Sequence, residues 1–204
     1  MLAIVDYGVG NLFSLHSSFK MIGANSIVTS KVEDLEKADQ IILPGVGAFS
    51  DAALKLRNSG LGEAVINEAN KGKPLLGICL GMQMLFDWSY EYGKHEGLGL
   101  IPGDVVPMEG VIPSDLKIPH IGWNALDIKV ENHPLFKYIR AGDYVYFVHS
   151  YYASNCDKNI IATAEYGAEL TATVAKGNVI GCQFHPEKSG KVGLNILRAF
   201  CEMR

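Results

Sequence analysis

Pro74-Leu-Leu-Gly-Ile-Cys79-Leu-Gly-Met-Gln83 is the stretch that decides the fold. Its first residues form a short apolar run of the kind that makes a buried strand, and from Leu80 onward the pattern turns helical. Strand, tight turn and helix in succession are the unit of a parallel sheet covered by helices. Gly77 and Gly81 bracket Cys79 in G-x-C-x-G, the sulfur counterpart of the G-x-S-x-G elbow. Without side chains at those two positions the turn can be sharp, and the thiol stands above the sheet beside the backbone N–H groups that follow it. A helix starting there favours a thiolate. Alone, the motif also fits a buried cysteine next to an ordinary turn.

Toward the N-terminus the same alternation continues. Leu2–Asp6, Ser26–Thr29 and Gln40–Leu43 read as strands. Asn11–Ile22 sets Leu12, Leu15, Phe19 and Ile22 on one helical face, with Gly23 where a helix-ending glycine belongs. Further helical stretches are expected around Val32–Ala38 and Ala52–Asn70. Toward the C-terminus the character changes. Gly97–Met108 is rich in glycine and proline, and Trp123–Val130, Tyr144–Tyr152 and Ile160–Glu165 follow without long helices, as antiparallel strands do. Leu170–Ala175 and Val179–Phe184 flank the hairpin signal Lys176-Gly177-Asn178. An amphipathic helix is expected over Gly193–Met203. The expected fold is one α/β domain over residues 1–204, a central mainly parallel sheet flanked by helices with antiparallel strands added in the C-terminal half.

Composition narrows the function. The 204 residues are 48% hydrophobic and 20% charged, enough for a substantial core, with a formal net charge of -4. The basic residues form no cluster, so neither a nucleic-acid surface nor a membrane surface is expected. No apolar stretch approaches the roughly 18 residues of a membrane span. Met-Leu-Ala-Ile-Val-Asp at the start has no basic segment of the secretory type. Cys79, Cys156, Cys182 and Cys201 lack the spacing of a zinc or redox site, so no metal or cofactor is expected and a cytoplasmic location fits.

Two further segments give Cys79 a function. Cys182-Gln-Phe-His185-Pro-Glu187 sets a histidine and a carboxylate two residues apart at an expected strand end, where extended backbone would put both on one face. A histidine can take the proton of a cysteine, and a carboxylate on its other nitrogen fixes the tautomer and steadies the imidazolium. Pro44-Gly-Val-Gly-Ala-Phe49 follows the third strand. Its glycines free the backbone to aim N–H groups at a ligand, so an oxyanion hole would pair the N–H of Val46 or Gly47 with that of Leu80.

Gly77-Ile-Cys-Leu-Gly-Met-Gln83 with His185-Pro-Glu187 resembles the signature of the class I (triad) glutamine amidotransferases. Asp6–Leu12, Ile118-Pro-His-Ile-Gly-Trp-Asn124, Tyr146-Phe-Val-His-Ser-Tyr-Tyr152 and Phe184–Gly190 resemble the histidine-biosynthesis branch of that class. The resemblance implies that Cys79 attacks the carboxamide of glutamine, with His185 as base and then acid, and Glu187 orienting it. It implies substrate contacts from Gln83, Ser150, Tyr151 and Glu91; the surroundings of Glu91, Ser89-Tyr-Glu-Tyr-Gly93, carry more tyrosine than the pattern leads one to expect. It also implies a (β/α)₈-barrel cyclase as heterodimer partner, which uses the ammonia to make imidazole glycerol phosphate and an aminoimidazole carboxamide ribotide. Asn11, Trp123, Tyr144, Tyr146 and Lys188 would face that partner. Three other readings stay open: the glutaminase of another amidotransferase, a partner-free cysteine hydrolase of amides or peptides, and a binding module of the same fold. Gln83, His149-Ser150-Tyr151 and Ile118–Asn124 count against the partner-free hydrolase, and an intact triad counts against the binding module.

Overall fold

The computed structural model describes residues 1–203. The first half alternates strand and helix, with two helices before the fourth strand: β1 (Leu2–Val5), α1 (Leu12–Met21), β2 (Ser26–Thr29), α2 (Val32–Lys37), β3 (Gln40–Leu43), α3 (Phe49–Asn58), α4 (Leu61–Asn70), β4 (Leu75–Ile78) and α5 (Leu80–Gln83). The second half is mostly strands: β5 (Trp88–Ser89), β6 (His95–Glu96), β7 (Asp104–Pro107), β8 (His120–Ala125), β9 (Asp127–Ile128), β10 (Tyr144–His149), β11 (Tyr151–Ser154), β12 (Ile160–Glu165), β13 (Glu169–Lys176) and β14 (Val179–Cys182), closed by α6 (Gly190–Cys201).

Eight strands form the central sheet in the order β2-β1-β3-β4-β14-β13-β12-β9. The β2-β1-β3-β4-β14 half is parallel, with Leu2 opposite Ser26 and Gln40, and Leu75 opposite Ile41 and Val179. β13, β12 and β9 continue it antiparallel, and Gly177-Asn178 makes the two-residue hairpin turn before β14. β14 is therefore last in sequence yet central in space, parallel to β4 and antiparallel to β13. This juxtaposition brings the end of β14 beside the end of β4.

Alternation along each strand splits the core into two layers. Ala3, Val5, Ile41, Leu43 and Leu75 face α2, α3 and α4, packing with Leu35, Phe49, Leu56, Leu61 and Val65. Leu2, Ile4, Ile42, Leu76 and Ile78 face the opposite way, toward Leu15 and Phe19 of α1 and Ile196, Leu197 and Phe200 of α6. The four-residue strands β1, β3, β4 and β14 are buried throughout, as strands covered on both faces must be.

The α/β class with added antiparallel strands is as expected, but several details differ. The helical stretch expected over Ala52–Asn70 is two helices, broken at Ser59-Gly60, where Gly60 has φ +73°. Tyr144–Tyr152 is not one strand but β10 and β11, and these lie in different sheets. Only β9, β12 and β13 extend the central sheet; β8 and β10 form a separate antiparallel ribbon, and β11-β7-β5-β6 a small third sheet. The closing helix begins three residues earlier than expected, at Gly190. Among the described residues no helix is long and apolar enough to cross a membrane.

Candidate active site

Cys79 occupies the junction of β4 and α5 with φ 54° and ψ −112°, a conformation that costs a non-glycine residue on the order of 1–3 kcal/mol. Its neighbours force that geometry. A Cβ on Gly81 would fall 1.8 Å from the Leu43 carbonyl oxygen, and one on Gly77 2.7 Å from the Gly81 carbonyl oxygen. Strand, turn and helix are thus pressed together at backbone distance, and the cysteine side chain has one direction left. Its backbone N–H donates to the Cys182 carbonyl at 2.8 Å, which ties the elbow to β14. The helix that follows is a single turn, so its dipole is small, but the N–H of Leu80 still has no carbonyl four residues back within the helix. All four cysteines are free thiols. Burial pushes the thiols of Cys156 and Cys201 up to about 11.

His185 follows β14 in extended backbone and is 2% exposed. Its Nδ1 lies 2.8 Å from Oε1 of Glu187. The two meet through the 3₁₀ turn Pro186–Lys188, not along one face of a strand as the spacing suggested, because β14 ends at Cys182. Burial would pull the His185 pKa down, but hydrogen bonds to Cys79 and Glu187 outweigh it and raise it to about 9. With Nδ1 committed to Glu187, the other ring nitrogen serves Cys79. Among the described residues the second carboxylate oxygen of Glu187 is buried with no hydrogen-bond partner.

The loop Pro44–Ala48 runs beside the elbow, and a Cβ on Gly45 would lie 2.8 Å from the Gly81 nitrogen. Gly47 has φ +90°. Both ends of the loop are gripped by side chains from elsewhere. Buried Tyr7, just past β1, donates its hydroxyl to the Pro44 carbonyl at 2.7 Å. Burial first, and then the nearby Cys79, raise the pKa of that hydroxyl. At the other end Ala48 cannot cap α3, and the Glu91 carboxylate does so, accepting the Phe49 N–H at 2.5 Å. An acid at a helix N-terminus is favoured by the unpaired N–H groups there.

A polar wall completes the site. Gln83 donates through Nε2 to the Tyr151 carbonyl at 3.2 Å and to Oε1 of Gln183 at 3.0 Å. Gln183 Nε2 lies 3.7 Å from Cys79 Sγ. The Tyr151 carbonyl also takes His149 Nδ1 at 2.9 Å, and His149 Nε2 meets His120 Nδ1 at 3.2 Å. Since a carbonyl only accepts, Nδ1 of His149 carries a proton, and desolvation by burial lowers the pKa of this ring to about 4.

Val46, Gly47, Cys79, Leu80, Gln83, Glu91, Ser150, Tyr151 and His185 line one cavity of about 290 Å³, with Glu187 behind the histidine. The remaining sequence-predicted residues gather on a neighbouring face. Trp123 and Tyr146 are opposite each other on the β8–β10 ribbon with ring centroids 6.0 Å apart, and the Lys188 ammonium lies 5.8 Å over the Tyr146 ring. Trp123 is 54% and Tyr144 57% exposed. Asn11 caps α1, which packs against the Pro186–Lys188 turn. Sequence reasoning quoted Tyr7, Gln183, His120 and His149 only within longer segments and gave none of them its own role in the site. The available signals were a tyrosine at the C-terminal end of a parallel strand, where such folds bind ligands, and a glutamine inside an otherwise apolar strand end. Among the described residues no cluster of potential ligands would hold a metal ion.

With this geometry, comparison with known proteins gives concordant results. The model of the class I glutamine amidotransferases matches residues 3–203. The imidazole glycerol phosphate synthase subunit HisH of Caldanaerobacter subterraneus subsp. tengcongensis is 50% identical over 204 residues, covering 100% of this chain and 98% of its own length. The subunit of the same name from Oceanobacillus iheyensis is 47% identical over 100% of this chain and 99% of its own. Among solved structures, a glutamine amidotransferase superposes with a TM-score of 0.76 at 20% identity, over 98% of this chain and 97% of that one. The structure of PurLQS from Thermotoga maritima superposes with a TM-score of 0.75 at 21% identity, over 98% and 96%.

Proposed function

Because the chain belongs to the class I glutamine amidotransferases, we propose that it hydrolyses glutamine as the glutaminase subunit of an imidazole glycerol phosphate synthase, in histidine biosynthesis. The observation that carries this reading is the meeting of Cys79, His185 and Glu187 at one cavity, in a chain with near-half identity to such subunits throughout its length.

The chemistry follows from the geometry. His185 takes the thiol proton, and the Cys79 sulfur adds to the carboxamide carbon of glutamine. The oxygen, now negative, is met by the N–H of Leu80 and one from Val46 or Gly47, donors of the kind typically worth about 10²–10³ in rate each. The imidazolium then protonates the amine, the C–N bond breaks, ammonia leaves and a thioester remains. Water gives a proton to His185 and attacks the thioester, the C–S bond breaks, and glutamate departs with the thiol restored. Glu187 keeps the ring in the tautomer that points a lone pair at Cys79. Glu91 meets the substrate's α-ammonium. Gln83 has both N–H bonds committed, so its Oε1 is the atom left to accept from the substrate, while Ser150 and Tyr151 offer backbone along the cavity.

Ammonia is handed to a (β/α)₈-barrel cyclase docked on the Trp123, Tyr144, Tyr146, Lys188 and Asn11 face. Exposed aromatic residues beside a cation suit such an interface. A cytoplasmic setting belongs to the same reading. The test is a glutaminase assay with and without such a cyclase and its ribonucleotide substrate. Stimulation by the cyclase is the expected result; peptide hydrolysis by the isolated chain with no response to the cyclase would overturn it.

A further inference from the structure

Gln183 has no part in the triad, yet its side chain touches the reacting sulfur. It is fully buried, one residue past β14 and two before His185, and its backbone N–H is held by the Ala172 carbonyl at 2.8 Å. A side-chain amide in such a place could point either way, and the hydrogen bonds around it choose. The choice starts at the Tyr151 carbonyl, which can only accept. Gln83 must therefore turn its NH₂ group toward that carbonyl, and the same NH₂ reaches Oε1 of Gln183. With its oxygen so engaged, Gln183 has only its NH₂ group to present to Cys79 Sγ, at 3.7 Å. The reverse orientation would set two NH₂ groups against each other and an oxygen against the sulfur lone pairs.

We propose that Gln183 is a further catalytic residue of the hydrolysis, its side-chain N–H donating to the Cys79 sulfur and favouring the thiolate, with the amide aimed by Gln83 and the Tyr151 carbonyl. The inference rests on Cys79 being the nucleophile. An N–H bond to a charged sulfur is stronger than one to a neutral sulfur, so the donor lowers the free energy of the ionised state relative to the thiol. It acts twice per turnover, once when the thiolate attacks and again when it leaves the thioester. The other titratable groups around Cys79 are His185 with Glu187 behind it, Tyr7 across the loop, Cys182 on β14, and Glu91 and His149 along the cavity. All of them remain in a Gln183→Met chain, which adds no titratable group.

The test is the pH dependence of alkylation by iodoacetamide, followed at the Cys79 peptide by mass spectrometry in the full chain. There the sulfur displaces iodide and a C–S bond forms, with no glutamine involved. Gln183→Met keeps the volume and removes the donor. Its midpoint should move up by about one pH unit, making alkylation roughly tenfold slower on the acid side. The kcat for glutamine should fall in parallel with KM little changed, and Gln183→Glu, which sets an acceptor against the sulfur, should move the midpoint further. A midpoint coincident with the unsubstituted protein's, in a Gln183→Met chain that unfolds normally, overturns the proposal. If Gln183→Met does not fold, Gln83→Met, which releases the Gln183 amide, should shift the midpoint upward, and an unmoved midpoint there overturns it. Retained glutamine hydrolysis in Cys79→Ala would instead overturn the nucleophile assignment on which the proposal rests, a failure that the alkylation profile of Gln183→Met does not mimic.

Discussion

The backbone N–H of His185 donates to the Tyr146 carbonyl at 2.9 Å, so the histidine hangs from the β8–β10 ribbon that carries the exposed aromatic face. Ser189 doubles the link: its hydroxyl accepts the Tyr146 N–H at 2.9 Å and donates to the His185 carbonyl at 2.6 Å. Anything that shifts the ribbon shifts His185, the proposed base. Ser189→Ala should therefore reduce kcat for glutamine by about tenfold and cost about 1–2 kcal/mol of stability for the two lost buried hydrogen bonds. Steady-state kinetics and urea unfolding of the variant check both figures; an unchanged kcat would separate ribbon and base.

The pH dependence of stability has a definite sign. His185 is held at about 9, above the ordinary 6.5, because its bonds to Cys79 and Glu187 outweigh burial. Between these values the folded chain holds a proton that the unfolded chain has lost, so this group's stabilisation is complete below pH 6.5 and disappears as the pH rises through 9. Glu187→Gln removes one of the two compensating groups. The alkaline decline in Tm should shrink and end at lower pH, and kcat should fall by up to about 10⁴-fold, as when a triad acid loses control of the tautomer. Thermal melts across pH 6 to 10, with matched kinetics, measure both.

The Glu91 carboxylate caps the Phe49 N–H, and the proposed function also gives it the α-ammonium of bound glutamine. Glu91→Gln should raise KM for glutamine by about 10-fold or more, the loss of a charge-assisted contact. With 4-carbamoylbutanoate, which lacks the ammonium, the substituted and unsubstituted chains should differ far less. Equal penalties on both compounds would assign Glu91 to capping α3 alone.

Gly81→Ala tests the compression at the elbow. Its Cβ would meet the Leu43 carbonyl oxygen at 1.8 Å, a clash of backbone with backbone that no side-chain rotation relieves. A loss of stability of about 3 kcal/mol or more is expected in denaturant unfolding, together with loss of hydrolysis. Gly47→Ala is a useful contrast, since open space surrounds that position and only its φ of +90° is strained.

Local pattern made some elements legible and hid others. β2 and β3 lie where short apolar runs, Ile27-Val28 and Ile41-Ile42-Leu43, stand between polar residues that open or close each strand. Cys79, His185 and Glu187 stood out because each lies in a short motif with its own chemistry. The break at Gly60 was hidden, since a single glycine is tolerated inside many helices. The split between β10 and β11 depends on which partner each strand finds, and nothing within Tyr144–Ser154 specifies β8 for one and β7 for the other. The places of Gln183, Tyr7 and His149 in the site became visible only through their contacts. Each is a buried polar group whose justification lies on another segment.

The position of β14 bears on the order in which the protein comes into being. A chain leaving the ribosome has Cys79 and most of the parallel strands long before Val179–Cys182 emerge, but the slot between β4 and β13 stays empty until then. Such long-range pairing forms late, because its loops must close first. Until residues 185 and 187 follow β14 into place, the nascent chain has Cys79 without its proposed base, and a product truncated before them should be inert. On the proposed mechanism, release of ammonia thus waits on completion of the sheet.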